Sequence, residues 1–272
     1  MDRKEPVNGP DLGLALKVAK AAAFKAGEIQ RENSQKSFDV SSKEVKSDLV
    51  TEVDLKCEEA IIIAIREVFA DHSALAEEKG EYKKEGSSCL WVIDPLDGTV
   101  NYAHGFPMYC SSVALQVDGL VEVGAVYDPT RDEMFSALRG HGAFLNDTPI
   151  KVSKTETLEE SLLATGFPYT IRTERINNLA HFSAMALRAQ AIRRPGAAAL
   201  DLCYTACGRL DGFWEFHLKP WDMAAGALIL TEAGGMVSGS DGEPFSIYSP
   251  HVAASNGLIH GMMLDTLKSV RI

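Results

Sequence analysis

The chain has 272 residues, enough for one large domain or two modest ones, and its 46% hydrophobic and 24% charged content is ordinary for a globular protein. A formal charge of −11 argues against a nucleic-acid groove or an anionic membrane as partner, and no apolar run approaches the roughly 18 residues of a membrane span. Residues 1–10 have no apolar core and are not read as a secretory signal, while five cysteines without a Cys-x-x-Cys pair support neither a disulfide framework nor a zinc knuckle; a reducing cytoplasm fits.

An Ala-rich stretch over residues 11–33, with Leu12, Leu16, Ala19, Ala23 and Ala26 on one stripe, predicts a helix. Residues 51–69 predict a second, with Leu55, Ile62, Ile65 and Phe69 on one face and Lys56, Glu58, Glu59 and Arg66 on others. The short apolar piece Ala74-Leu75-Ala76 ends in Glu77-Glu78. Residues 89–93 read as a strand, and the apolar runs 113–117 and 121–126 flank Asp118-Gly119, a strong hairpin signal. Residues 133–138 and 142–152, with a turn at Asn146-Asp147, extend an antiparallel meander. The period then changes: 197–207 predict a helix closed by Gly208, 213–216 a strand, 222–233 a helix ended by Gly234-Gly235, 252–255 a strand and 258–270 a last helix. Alternating helix and strand suggests a sheet layered between helices, with an open boundary near residues 155–190.

Chemistry concentrates in Trp91-Val92-Ile93-Asp94-Pro95-Leu96-Asp97-Gly98-Thr99-Val100-Asn101-Tyr102. An apolar strand delivers two carboxylates, three residues apart, into a Pro/Gly turn that a helix could follow. Two Asp at a strand end can share a hard divalent cation, and N–H groups at a helix start can hold a phosphate. That pairing suggests metal-assisted phosphoryl chemistry, with an ordinary Asp-Gly turn as the alternative. Three more acids stand at element ends, each with a plain reading. Asp54 completes Thr51-x-x-Asp54, which fits a capping box as well as a catalytic base. Glu77 with Glu78 could be a solvated pair, and Asp222, after Pro220-Trp221, could be an N-cap. Cys203 and Cys207, one helical turn apart, read as small packing groups. Bound cations would reconcile an acidic chain with a phosphate ester.

Together these residues resemble the inositol monophosphatase family, within the wider lithium-sensitive, Mg²⁺-dependent phosphatases that include fructose-1,6-bisphosphatases. The run from Asp94 to Tyr102 is similar to the family's first signature. Pro220-Trp221-Asp222-Met223-Ala224-Ala225-Gly226, continuing to Glu232-Ala233-Gly234-Gly235, is similar to its second. Lys43, Asp48-Leu49-Val50-Thr51 with Asp54, Glu77-Glu78, Arg194-Pro195-Gly196-Ala197-Ala198-Ala199 and Glu215 fit in order, so the resemblance runs from about Leu14 to the C-terminus.

The resemblance implies an α+β fold, a layered α-β-α-β-α sandwich. It forms a single catalytic unit over 1–272, with the first motif in about 1–155 and the second in about 190–272. It implies a homodimer and two or three Mg²⁺. Glu77, Asp94 and the Leu96 carbonyl would hold the first ion and Asp94, Asp97 and Asp222 the second, with Glu77 also serving a weaker third. Asp54 and Thr99 would activate the attacking water, and the Gly98 and Thr99 N–H groups would cradle the phosphate. Asp97, Gly196, Ala197, Ala198, Glu215 and Asp222 would meet the alcohol. The implied reaction is hydrolysis of myo-inositol phosphate. Histidinol phosphate, fructose 1,6-bisphosphate or NADP are the alternative substrates, and a regulatory binding protein retaining the fold is the alternative role. Residues 166–172 fall in a segment expected to bear on substrate range. His217 reads as structural or solvated, and Lys43 as either an active-site or an exposed lysine.

Overall fold

The computed structural model describes residues 9–34, 40–42 and 49–270. Lys43 and Asp48 lie outside them. Helix α1 (Leu12–Asn33) begins where the Asp11 carboxylate accepts the Leu14 N–H at 3.0 Å. Its buried face is built of Ala15, Ala19, Ala22, Ala23 and Ala26, small enough for close approach; a Cβ on Gly27 would lie 2.3 Å from the Tyr127 ring. A ribbon of β1 (Val40–Ser42) and β2 (Leu49–Thr51) leads into α2 (Glu52–Val68). There follow β3 (Ser73–Ala76), β4 (Gly80–Tyr82), β5 (Cys89–Asp97) and the short α3 (Thr99–Ala103). The meander is β6 (Cys110–Val117), β7 (Leu120–Asp128), β8 (Glu133–Leu138), β9 (Ala143–Leu145) and β10 (Thr148–Pro149). The open region near 155–190 folds as β11 (Leu162–Thr165) and α4 (Leu179–Ala186), followed by β12 (Ala191–Arg193). The chain ends with α5 (Ala198–Ala206), β13 (Gly212–Phe216), α6 (Pro220–Glu232), β14 (Met236–Ser238), β15 (His251–Ser255) and α7 (His260–Lys268).

Among the described residues the strands form, besides the ribbon, sheets ordered β10-β9-β8-β7-β6-β5-β3-β4 and β12-β11-β13-β15-β14. The expected antiparallel meander holds from β5 to β10, but β3 joins the same sheet parallel to β5. Period-two alternation sorts side chains into layers. Trp91 and Ile93 face α1 and α2, packing with Ile61 and Ile65 in one core. Val92 and Ala114 point the other way, into a second core shared with α5 and α6 and with Phe213 and Ala254 of the smaller sheet. Trp214, Phe216 and Ala253 face outward again, against Met185 of α4 and Met263 and Leu267 of α7. The order is therefore α-β-α-β-α.

Helix α6 lies between the two sheets and is buried along most of its length, as an apolar helix in a middle layer must be. Gly124 admits it, since a Cβ there would sit 3.0 Å from the Ala225 backbone. The helix starts two residues before the expected Asp222, with Pro220 at its first position, where the missing N–H costs nothing. Asp222 is thus not the N-cap. It reaches back from the first turn to accept the Lys219 N–H at 2.7 Å. No helix among the described residues is long and apolar enough to cross a membrane.

Candidate active site

Parallel pairing of β3 with β5 sets Ala76 beside Ile93, and the Glu77 N–H donates to the Ile93 carbonyl at 3.2 Å. Glu77 and Asp94, the next residues of neighbouring strands, emerge side by side. Beyond Asp94 the strand bulges. Asp94 pairs with Ser112 and Asp97 with Cys110, so three steps on β5 face two on β6. In a regular strand, residues three apart point to opposite faces; the extra residue cancels that offset. Both carboxylates share the face directed at α5 and α6. There the Ser112 hydroxyl donates to the Trp221 carbonyl at 3.3 Å and the Ala199 N–H to Asp97 Oδ2 at 2.8 Å. The Leu96 N–H turns back to Asp94 Oδ1 at 3.0 Å. Gly98 then adopts φ 92°, where a Cβ would lie 2.8 Å from the Met108 carbonyl oxygen, and α3 opens at Thr99.

Asp54 fits both of its sequence readings, using a different oxygen for each. Oδ2 accepts the Thr51 N–H at 2.8 Å and the Thr51 hydroxyl at 2.5 Å, closing the capping box of α2. Oδ1 accepts the Thr99 hydroxyl at 3.1 Å. That hydroxyl also lies 3.0 Å from the Leu96 carbonyl. Burial raises the Asp54 carboxyl above its ordinary range, opposed by the hydrogen bonds from Thr51 and Thr99.

The second half of the chain closes the corner. Asn101 on α3 donates its amide to the Met108 and Pro195 carbonyls at 2.7 and 2.9 Å, tying the first motif to the loop that holds Gly196. Ala197 is the residue before α5 and Ala198 its first. Glu215, on β13, lies directly over Gly166: a Cβ on Gly166 would sit 2.1 Å from Glu215 Oε1. The fully buried Asn178 braces this segment. Its amide donates to the Gly166 carbonyl at 2.6 Å, and its Oδ1 accepts the Trp214 indole N–H at 2.8 Å. Burial, then Asp222, pushes the Glu215 carboxyl up to about 8, with Arg194 opposing. His217 has a structural place, its Nε2 meeting the Ile176 carbonyl at 2.9 Å and its ring edge-on to His251.

These acids feel one another. Burial first, and then Glu77, Asp97 and Asp222, hold the Asp94 carboxyl well above the ordinary carboxylate range. Burial pushes Asp97 up to about 7, with the Ala199 N–H opposing and Glu77 adding to the rise. Asp201, on α5, is raised by burial, Glu215 and Asp97, and its Oδ1 has no hydrogen-bond partner in the protein. Carboxylates crowded into a low-dielectric corner want a cation or a proton. The donor set, carboxylates plus the Leu96 carbonyl, is all oxygen and suits a hard ion such as Mg²⁺. Among the described residues no three His, Cys, Asp or Glu side chains close into a cage by themselves. Mg²⁺ needs no closed cage of side chains, because water and substrate phosphate complete its shell around the carboxylates.

Two polar residues that the sequence reading passed over stand out here. Asp201 is the lone charge in the apolar stretch 197–207, and Gln30 continues the stripe of Ala19, Ala23 and Ala26. A polar residue on an apolar stripe is the signal that would have found both.

A family model described as the inositol monophosphatase family matches residues 11–271. The inositol-1-monophosphatase of Synechocystis sp. is 43% identical over 265 residues, covering 97% of this chain and 92% of that protein. The Nus factor SuhB of Pseudomonas aeruginosa is also 43% identical, over 267 residues, 95% of this chain and 96% of that one. Among solved structures, inositol monophosphatase from Anabaena (Nostoc) sp. PCC 7120 has a TM-score of 0.87 and 41% identity, over 96% of this chain and 98% of that chain.

Proposed function

We propose a reaction from one premise: the chain belongs to the inositol monophosphatase family. The reading is a Mg²⁺-dependent phosphomonoesterase that hydrolyses an inositol monophosphate to myo-inositol and phosphate. The observation that carries it is the bulged turn, which brings Asp94 and Asp97 to one face beside Glu77 and ends at the Asp54–Thr99 pair. Glu77, Asp94 and the Leu96 carbonyl would hold one Mg²⁺, Asp94, Asp97 and Asp222 a second, with Glu77 also serving a weaker third. Bound Mg²⁺ supplies Lewis acidity, lowering the pKa of water and stabilising the leaving oxygen. The protein's own groups do the rest. Thr99, donating its single hydroxyl proton to Asp54, keeps lone pairs to orient a water, and Asp54 is the base that receives the proton. Gly98 and Thr99, at the opening of α3, present backbone N–H groups to phosphate oxygens. Asp97, Gly196, Ala197, Ala198, Glu215 and Asp222 line the alcohol side. Carboxylate acceptors there favour a polyol rich in hydroxyl donors over an apolar alcohol.

Asp97→Asn tests the reading. The variant should fold and melt like the wild type but lose phosphate release by several kcal/mol of transition-state stabilisation, roughly a hundredfold or more in kcat. The assay is phosphate release from inositol, sugar, nucleotide and amino-alcohol phosphates, with and without Mg²⁺ and with LiCl as inhibitor. Normal turnover by folded Asp97→Asn protein in Mg²⁺ overturns the assignment.

A second reading follows from the 43% identity to a protein named a Nus factor: regulation by contact with other macromolecules, beside or instead of hydrolysis. The charge of −11 disfavours direct nucleic-acid contact, so a protein partner fits better. Partner binding retained by Asp97→Asn would separate the two roles. A homodimer in a cytoplasmic setting completes the proposal, and sedimentation tests the first of these.

A further inference from the structure

We infer that Gln30 is a positioning residue for the metal turn: its side-chain amide bridges β5 and β6 at the bulge and so holds Asp94, Leu96 and Asp97 at their working spacing. The inference rests on the function proposed above. Gln30 is fully buried on α1, on a face otherwise built of five alanines with Val18 and Gly27. A polar side chain in such a place needs hydrogen-bond partners to offset its lost hydration. Its Nε2 donates to the Pro95 carbonyl at 2.8 Å and lies 3.4 Å from the Cys110 carbonyl. Pro95 stands between Asp94 and Leu96 inside the bulge, and Cys110 is the residue paired with Asp97 across the sheet. The two carbonyls therefore belong to opposite sides of the break in the ladder. One primary amide, with two N–H donors, reaches both.

The other half of the amide fixes its orientation. Gln30 Oε1 is buried without a hydrogen-bond partner in the protein. Flipping the amide would set that oxygen against the Pro95 carbonyl oxygen, so the donor end stays on the turn. From the far side of the turn the Tyr102 hydroxyl donates to the Gln30 backbone carbonyl at 2.8 Å. A single residue of α1 thus grips the motif both before and after Gly98.

A second anchor of α1 separates positioning from simple attachment. The Ser111 hydroxyl donates to the Ala23 carbonyl at 2.7 Å, joining α1 to β6 two turns away from Gln30 and on the α1 side of the sheet. Losing it loosens α1 but leaves the Pro95 carbonyl partnered.

The test compares wild type, Gln30→Met and Ser111→Ala as full-length proteins. It reads Mn²⁺ affinity by titration calorimetry and half-saturating Mg²⁺ by phosphate release, with thermal melts as the folding control. Gln30→Met keeps the length of the side chain and removes both donors. It should bind Mn²⁺ about tenfold more weakly or worse, as loss of an outer-shell partner does. Half-saturating Mg²⁺ should rise in step, with KM for the ester at saturating Mg²⁺ unchanged. Ser111→Ala should show wild-type Mn²⁺ affinity. If Gln30→Met does not fold, Gln30→Asn, whose amide falls one methylene short of the turn, is read in the same way. Wild-type Mn²⁺ affinity in a folded Gln30 variant, or an equal loss in Ser111→Ala, overturns the inference. A wild-type protein that neither binds Mn²⁺ nor releases phosphate overturns the proposed function instead.

Discussion

Glu215 carries its carboxylate directly over Gly166, so a larger residue at 166 must push that carboxylate aside. The clashing atoms are the end of a side chain rather than backbone, and Gly166 is not among the residues with positive φ. Gly166→Ala should therefore fold normally and move Glu215. We expect a melting temperature close to the wild type and a KM for the ester raised about tenfold, equivalent to ~1.4 kcal/mol. Steady-state kinetics beside a thermal melt decide it, and an unchanged KM would remove Glu215 from the alcohol site. The sequence placed Glu215 by resemblance and marked residues 166–172 only as a segment bearing on substrate range. Contact between the two was not legible, because 49 positions separate them and neither carries a pattern that points at the other. Asp201 differs: a lone acid in the apolar stretch 197–207 marks it as buried, but its nearness to Glu215 and Asp97 depends on which layers α5 packs between.

In the first turn of α2 the Asp54 carboxylate closes the cap with one oxygen and accepts the Thr99 hydroxyl with the other, and the two can be pulled apart. Asp54→Asn keeps an acceptor for the Thr51 cap but removes the proposed base. It should cost under about 1 kcal/mol of stability while lowering kcat by a factor of roughly 10² to 10⁴. Thr51→Ala removes the cap and should cost about 1 kcal/mol, with a much smaller effect on kcat. Chemical denaturation and initial rates on the two variants give the comparison; equal losses of kcat would mean that Asp54 acts only through the cap. The existence of α1, α2, α5 and α6 and the Asp118-Gly119 hairpin were readable from the sequence, but the face of α2 was not wholly so: Leu55, read on its apolar stripe, is exposed, and Glu58, read on another face, is buried and accepts the Glu78 N–H. Shorter elements were not readable. β3 has four residues and too little alternation to announce a strand, and nothing local states that it runs parallel to β5. Helix α4, eight residues long, is below the length at which a helix holds itself in water and owes its existence to packing on α7 and β13. The bulge in β5 was equally hidden, because it exists only relative to the register of β6.

At the scale of the whole molecule, the candidate ligands come from the residue after β3, from β5 and from α6, parts of both the first sheet and the middle helical layer. Binding a cation there should hold those layers together, and stability should follow ligand concentration. At about a hundred times its Kd, Mg²⁺ would add ~2.7 kcal/mol. For a chain of this size that is a rise of roughly 5–10 °C in melting temperature, reversed by EDTA. A scanning-calorimetry series in Mg²⁺ checks this, and a melt indifferent to Mg²⁺ would count against a site shared between layers. Alternation of helix and strand alone justified only a sheet between helices; the five-layer order came from resemblance. Its physical cause is visible in the structure, where α6 is apolar all round and so must lie between two sheets.

The bulge has one more consequence. A regular strand could carry two carboxylates on one face with a single residue between them; here two residues, Pro95 and Leu96, stand between them outside the register. What the additional residue contributes is main chain, including the Leu96 carbonyl that meets the Thr99 hydroxyl. Mutagenesis can strip Glu77, Asp94, Asp97 and Asp222 one at a time, but no codon change deletes a peptide oxygen. That part of the corner is protected against substitution and exposed only to insertion or deletion, so the number of residues between the two aspartates matters as much as their identity.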